Sequence, residues 1–312
     1  MKIIWYGYKN KAVYLFVLVI LLVVTGCSSG GNDNYHSYYA GNQGVEISFL
    51  PQSPRETYNQ GEFLNVQLEV SNQGRYSYPE GAIFLDGFDK QAIFFSSLRK
   101  NIQPLEGKSQ KNPEGGISYV QFEENLPVKV PYGDLYKTKL QATSCFRYQT
   151  LATVNACIIP EISDIAKDKV TCKAGITSLS NQAAPVAVTR VEERIARDIV
   201  QFINTIENVG NGRIINPVKL DLCPYQLEPK DIDLVGVDLT IDTLGSAECA
   251  NDNVVQLFNG KGVIVCKFIT RPDLSSYETP LTITLDYGYS KTIKTELQIY
   301  NPEFTGLESN DY

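Results

Sequence analysis

One segment has the spacing of a known nucleophilic site, Ser97-Leu98-Arg99-Lys100. In this S-x-x-K pattern the serine attacks the substrate, with a lysine close by. Enzymes that use it also carry S-D-N and K-T-G sequences, and this chain has neither. The only histidine, His36, lies in a polar stretch near the N-terminus, so a Ser-His pair is not expected. We therefore interpret the motif as a surface loop at the end of a strand.

Acidic side chains are the second possible source of chemistry, and the densest cluster is Asp231, Asp233, Asp238 and Asp242. An EF-hand would need D-x-D-x-D-G spacing and a terminal Glu, which are missing here. Asp238 and Asp242 are better interpreted as the solvated face of an alternating strand. Glycoside hydrolysis needs only two carboxylates at a set separation, and nothing in the sequence selects a pair. We predict no catalytic residue, no cofactor and no metal site.

Tyrosine is the remaining candidate type, because its ring can stack on sugars or anchor a protein contact. The candidates on polar segments are Tyr35, Tyr38, Tyr39, Tyr76 and Tyr78. Tyr148 and Tyr289 follow apolar strand patterns, and we interpret them as core or corner tyrosines that serve the fold.

A basic, then apolar N-terminus indicates export. Three lysines precede an apolar run from Ala12 to Val24, which ends at Val24-Thr25-Gly26-Cys27. This ending resembles the lipobox of prokaryotic lipoproteins, and the resemblance implies cleavage after residue 26 and a lipid on Cys27. An uncleaved transmembrane anchor is the alternative, although the run of 13 residues is short for a span. Both readings place the remaining chain outside the cytoplasm.

Composition limits the partners of the mature chain. Removal of residues 1–26, with their three lysines, leaves 286 residues with 25 basic and 35 acidic side chains, a net charge of −10. Such an acidic exterior argues against nucleic acid as a partner. Abundant Tyr, Val, Ile and Thr are typical of strands. Residues 27–44 are small, polar and Tyr-rich, so we predict a flexible tether there.

Six further cysteines indicate disulfides in an exported chain. They are Cys145, Cys157, Cys172, Cys223, Cys249 and Cys266. None belongs to a C-x-x-C pair, so a structural zinc site is not predicted. Sequence alone leaves 15 pairings open. If a domain boundary lies near residue 180, each half holds three cysteines, and complete oxidation requires an odd number of bridges between the halves. One free thiol in each half is the alternative.

The chain contains two similar segments in the same order. Val70-Ser71-Asn72-Gln73-Gly74 matches Ile206-Glu207-Asn208-Val209-Gly210 at an offset of 136, and Leu140–Tyr148 matches Leu281–Tyr289 at an offset of 141. Two features at nearly equal spacing indicate two copies of one fold.

Alternating apolar and polar residues predict what that fold is. The alternation is clear at 66–70, 237–242 and 281–285, and Asn259-Gly260 is a turn signal before another strand. Short strands separated by turns, in units of this size, predict a β-sandwich.

One segment conflicts with this prediction because its apolar residues have helical spacing. They are Val188, Val191, Ile195, Ile199, Phe202 and Ile206. The repeat instead makes residues 198–207 the partner of a strand at 62–71. We follow the repeat and predict a strand.

An early strand with the pattern apolar-x-apolar-x-Asn-x-Gly, repeated along an exported chain, resembles the immunoglobulin-like CARDB domains of prokaryotic surfaces. The matching segments are residues 68–74 and 205–210. The resemblance implies seven-stranded sandwiches with a role in adhesion or spacing, and it supplies no catalytic residues. Residues 75–137 depart from the pattern and are interpreted as an insertion.

Together these features predict an all-β chain with two tandem immunoglobulin-like sandwiches, at 45–180 and 181–301, and an acidic tail at 302–312. The predicted function is a membrane-anchored, non-catalytic surface protein for adhesion, binding or spacing, with an envelope protein or glycan as partner. One alternative is a structural subunit of a surface appendage or S-layer-associated complex, held by its N-terminal helix. Another is a carboxylate-based glycan hydrolase of the envelope.

Overall fold

The computed structural model describes residues 40–77, 80–123, 126–159, 172–196, 198–270 and 276–303. β-Strands are by far the main regular structure of these residues, which confirms the predicted all-β class. The strands are β1 (Val45–Phe49), β2 (Thr57–Asn59), β3 (Asn65–Asn72), β4 (Gly81–Asp86), β5 (Arg99–Asn101), β6 (Ile117–Glu123), β7 (Leu135–Ile158), β8 (Ile176–Ser178), β9 (Val186–Ala196), β10 (Ile199–Asn208), β11 (Arg213–Ile215), β12 (Leu234–Ile241), β13 (Gly245–Ser246), β14 (Glu248–Cys249), β15 (Val254–Gln256), β16 (Lys261–Ile269) and β17 (Tyr277–Tyr300). Two 3₁₀ helices, Pro217–Leu222 and Pro229–Asp231, and a short helical turn at Ala250–Asn253 interrupt them.

The strands form three sheets. Sheet I has the order β1-β3-β6, and sheet II has the order β14-β16-β10-β9-β8. Sheet III has nine strands along β13-β12-β17-β7-β4-β5, with β2, β11 and β15 paired at its sides. The buried faces of all three sheets contribute to one hydrophobic core, for example through Val66, Phe202 and Leu285. This sandwich arrangement explains the alternating patterns, since each strand buries every second residue.

The two 24-residue strands β7 and β17 join the halves of the chain. They pair antiparallel along their whole length. Tyr148 pairs with Tyr287, and Phe146 pairs with Tyr289. At the offset of 141, Phe146 corresponds to Tyr287 and Tyr148 to Tyr289. The pairing therefore relates the two matched segments by an approximate twofold axis that passes between the strands.

The Asn-x-Gly turn and the later tyrosine have nearly the same spacing in the two copies because they are in contact. The hydroxyl of Tyr148 donates to Asn72 Oδ1 at 3.2 Å, and that of Tyr289 donates to Asn208 Oδ1 at 3.3 Å. In each copy the Asn Nδ2 donates to the carbonyl four residues later, at Tyr76 or Gly212. The Asn-x-Gly turn and the distant tyrosine are thus parts of one contact, which is made once in each half.

Residues 186–208 form a hairpin, not a helix, so the choice of a strand at 198–207 is confirmed. β9 and β10 pair antiparallel, with an irregularity between Thr205 and Ile206. Val188, Val191, Val200, Phe202 and Ile206 are buried. The apolar positions only resemble a helical stripe, because the hairpin turn and the bulge change the phase of an alternating pattern.

Residue 180, near which a boundary was predicted, lies in one compact unit together with the described residues on both sides of it. Residues 75–137, interpreted as an insertion, supply three strands that pair within sheets I and III. β4 pairs with β7, and β6 pairs with β3. An ion pair between Glu46 on β1 and Lys291 on β17 further connects sheets I and III. The segment is therefore integral to the core.

All six candidate cysteines form disulfides: Cys145–Cys223, Cys157–Cys172 and Cys249–Cys266. The first is the bridge between halves that the odd-number argument required. Three disulfides indicate folding in an oxidising compartment outside the cytoplasm. Within the described ranges, no helix has the length and apolar character needed to cross a membrane.

Candidate functional site

A groove runs beside the edge of sheet III, where β4 and β5 face a loop from the second half of the chain. It consists of two adjoining cavities of about 720 and 440 Å³, and Phe84 and Arg99 line both. Both volumes lie in the range of small-molecule sites. We call this the Phe84 groove. Its other lining residues used below are Glu80, Asp86, Lys90, Ser97, Asn101, Cys145, Leu220, Asp221 and Tyr225.

Two aromatic rings meet where the cavities adjoin. Phe84 and Tyr225 pack edge to face, with ring centroids 6.0 Å apart and an interplanar angle of 87°. Tyr225 is 60% exposed although it is a large aromatic residue. The Arg99 guanidinium carbon lies 5.8 Å from the centroid of the Phe84 ring, within cation–π range. The groove thus presents an accessible ring on a supported aromatic base.

Charges of both signs surround these rings. Glu80, Asp86 and Asp221 contribute carboxylates, while Arg99 and Lys90 contribute cations. Partial burial, and then the charge of the neighbouring Asp86, raise the pKa of Tyr225 to about 12. Tyr225 is therefore a neutral polar group at physiological pH.

A disulfide holds the two walls of the groove together. Cys145 on β7 lines the larger cavity and is bonded to Cys223, which follows the 3₁₀ helix Pro217–Leu222. Cys145, Cys223 and Ile215 are buried together in a small cluster, against which Phe84, Leu220 and Leu227 pack. The loop that carries Tyr225 is thereby anchored to the strand next to β4.

The S-x-x-K segment contributes to this groove. Ser97 Oγ donates to the carbonyl of Arg99 at 2.7 Å, and the backbone N–H of Arg99 donates back to Ser97 Oγ. Lys100 pairs with Ile83 within the short strand β5. Ser97 and Leu98 lie in an irregular stretch, whereas Arg99 and Lys100 belong to the edge strand β5, so only the first half of the motif is the predicted surface loop. Ser97 and Arg99 line the groove.

The residues of the acidic cluster have different environments. Asp231 is buried and closes a capping box with Glu228 around the second 3₁₀ helix. Asp238 lies at an exposed position of β12, as expected for a wet strand face, and Asp242 follows the strand and is exposed. In the described part of the chain, no group of three His, Cys, Asp or Glu side chains is placed to hold a metal ion.

The tyrosine candidates separate clearly where they are described. Tyr148 and Tyr289 are buried. Tyr76 packs edge to face on Tyr148, with centroids 5.5 Å apart, so it supports the fold as well. Burial raises the pKa of Tyr76 above its ordinary value. Predictions that concern Cys27, Tyr35, His36, Tyr38, Tyr39 and Tyr78 lie outside the described residues.

Sequence reasoning did not single out Phe84 and Tyr225. Phe84 is one residue in an apolar strand, and Tyr225 follows Cys223-Pro224 in a loop with no periodic pattern. The only signal in the sequence is weak: Tyr225 lies two residues after a cysteine, and a disulfide at Cys223 would fix the position of its neighbours. The disulfide between Cys145 and Cys223 joins the segment that contains Tyr225 to β7, the neighbour of β4.

No protein-family model matches the chain, and no curated protein matches it significantly.

Proposed function

We propose that the protein is a membrane-anchored, non-catalytic surface protein that binds, or spaces apart, components of the cell envelope. One observation carries the proposal, the ligand-sized Phe84 groove, because a disulfide between the two halves fixes its walls and its aromatic residue is exposed. A rigid cleft with an exposed ring is suited to recognition. The resemblance of the repeat to CARDB modules supports the same role.

The proposed anchor is a lipid on Cys27. The sequence Val24-Thr25-Gly26-Cys27 after an apolar run supports it, and the extracytoplasmic disulfides agree with export. Residues 28–39 then connect the lipid to the first described residues. Wild-type protein in its host should incorporate radiolabelled palmitate, and Cys27→Ser should not, whereas Ser29→Ala should behave as wild type. Absence of label from the wild type would reject lipidation and favour the uncleaved anchor of an appendage subunit.

The binding role is tested in intact envelopes. Chemical crosslinking, followed by purification of the full-length protein, should recover an envelope component bound to it. A homogeneous monomer that captures nothing from intact envelopes would contradict this role.

A carboxylate-based glycan hydrolase is the second candidate, because the groove contains Glu80, Asp86 and Asp221. Glycosidases need two such groups on either side of the scissile bond. Release of reducing ends from envelope glycans, lost in Asp86→Asn or Asp221→Asn, would favour the hydrolase over the binding protein.

A further inference from the structure

We propose that the Phe84 groove binds a glycan chain. This inference rests on the proposed binding function and deepens it by naming the class of ligand.

The exposed Tyr225 ring is the first argument. The C–H faces of sugar rings are apolar and pack on aromatic rings, while their hydroxyls need polar partners at the rim. Tyr225 presents its ring with Phe84 behind it, so little side-chain freedom is lost when a ligand binds. A single supported ring on a polar surface matches a sugar better than a lipid tail, which would need a continuous apolar lining.

The polar groups of the groove are the second argument. Arg99, Asn101 and Asp86 end in planar groups with several donors or acceptors, and Glu80 and Asp221 add carboxylates in the larger cavity. Neighbouring sugar hydroxyls each donate and accept, so planar groups can bind two of them at once. Because both signs of charge are present and the mature chain is acidic, a neutral glycan is favoured over a polyanion.

The shape of the groove is the third argument. Two cavities that share the lining residues Phe84 and Arg99 lie side by side, which suits an extended ligand of several sugar units. An extended peptide would be expected to add to a free strand edge through backbone hydrogen bonds. The strand at this edge, β5, has only three residues, so it offers few backbone groups for such pairing.

The inference is tested with full-length protein in detergent and envelopes from its host. One portion of envelopes is digested with proteinase, which leaves glycans, and another is oxidised with periodate, which cleaves vicinal diols and leaves most protein. We expect binding to the proteinase-treated envelopes and loss of binding after periodate. Tyr225→Ala and Arg99→Ala should each weaken binding about tenfold.

Matched variants make the result specific to the groove. Tyr132→Ala removes another tyrosine, 85% exposed and outside the groove, and should bind as wild type. Tyr225→Phe keeps the ring and should lose less affinity than Tyr225→Ala. Thermal melting of each variant confirms folding, which exposed positions should preserve.

Each of the other outcomes rejects either the glycan ligand, the groove as its site, or the binding function itself. Binding that survives periodate and is lost after proteinase would identify a protein partner and overturn the glycan. Binding to glycan that Tyr225→Ala and Arg99→Ala leave unchanged would overturn the groove but keep the proposed binding function. Absence of binding to any envelope preparation would reject both.

Discussion

Gly74 lies directly against the hydroxyl of Tyr148, so close that a β-carbon at residue 74 would overlap it. The equivalent Gly210 has the same relationship with Tyr289. The Asn-x-Gly turn therefore requires glycine because the tyrosine hydroxyl occupies the space of a side chain. The backbone freedom of glycine is the less important reason. This close approach holds the turn after β3 onto β7, and the turn after β10 onto β17.

Gly74→Ala should destabilise the protein by about 3 kcal/mol. The new β-carbon would also meet the carbonyl oxygens of Ala183 at 2.6 Å and Gln43 at 2.7 Å, which cannot move as a side chain can. Urea unfolding measures the loss. Gly175→Ala is the matched control, because nothing lies within 4 Å of its added carbon, and it should change stability by less than about 0.5 kcal/mol. Equal stability of the two variants would contradict the packing argument.

Asn204→Val should stabilise the protein by about 1 kcal/mol. Asn204 is buried, and its Oδ1 has no hydrogen-bond partner among the described residues. In the repeat it occupies the position of Leu68, a core residue. The control is Asn72→Val, since Asn72 is also buried but contacts Tyr76, Leu105, Gly74 and Tyr148. Asn72→Val should lower the free energy of unfolding by about 3 kcal/mol. A loss of similar size in Asn204→Val would show that Asn204 Oδ1 has a hydrogen-bond partner in solution, and would contradict the prediction.

Removal of the Cys145–Cys223 disulfide by a double substitution with alanine should cost more stability than removal of either other bridge. It closes 78 residues, against 15 for Cys157–Cys172 and 17 for Cys249–Cys266. Loop-closure entropy predicts about 4.5 kcal/mol for the long loop and about 3 kcal/mol for the short ones. Denaturant midpoints of the three double variants measure the order. A smaller loss for the long loop would show that its halves remain associated when unfolded.

Glu193 should make stability depend on pH between about 4.5 and 7. Burial raises its pKa to about 7, and the hydrogen bond from the Cys157 N–H opposes this only in part. The folded protein thus holds this proton more tightly than the unfolded chain, so the contribution is full below pH 4.5 and is lost as pH rises through 7. Glu193→Gln should match the wild type at pH 4 and exceed it by about 1 kcal/mol at pH 8, since partial exposure screens the effect.

The neighbouring Glu192 provides the control for this pH dependence. Hydrogen bonds from Arg194 and Arg190 lower its pKa. The Glu192→Gln variant should therefore not become more stable than the wild type as the pH rises from 4 to 8. If Glu193→Gln likewise gains no stability over the wild type between pH 4 and pH 8, its carboxyl is solvated and the prediction is wrong.

The strands could be predicted from sequence because their cause is local. A strand such as β3 or β12 has one buried face and one solvent-exposed face, so apolar and polar residues alternate along its sequence. The repeat was also readable, because Asn72 and Tyr148 must recur at matched spacing if their hydrogen bond is to form twice. The strand at 198–207 could also be predicted, but only by preferring the repeat over a misleading helical spacing.

The sequence allowed two outcomes for the cysteines, an odd number of bridges between the halves or one free thiol in each half, and it did not give the pairing. Which cysteine pairs with which depends on the distance between chain segments that are far apart in sequence, and a list of residues contains no such distances. The continuous pairing of β7 with β17 could not be predicted from sequence either. Strands pair through backbone groups, which are the same in every strand whatever its sequence, so the sequence does not say which strands become neighbours.

The sequence by itself determined the all-β class, the twofold repetition and the presence of cysteines for an oxidising compartment, since composition, period and count are properties of the chain. Only the tertiary structure decided that Phe84, Arg99 and Tyr225 share a groove. The physical reason is that these residues come from three segments without a common pattern. They meet because sheet pairing places β5 beside β4, and the Cys145–Cys223 bridge draws the loop of Tyr225 across to them.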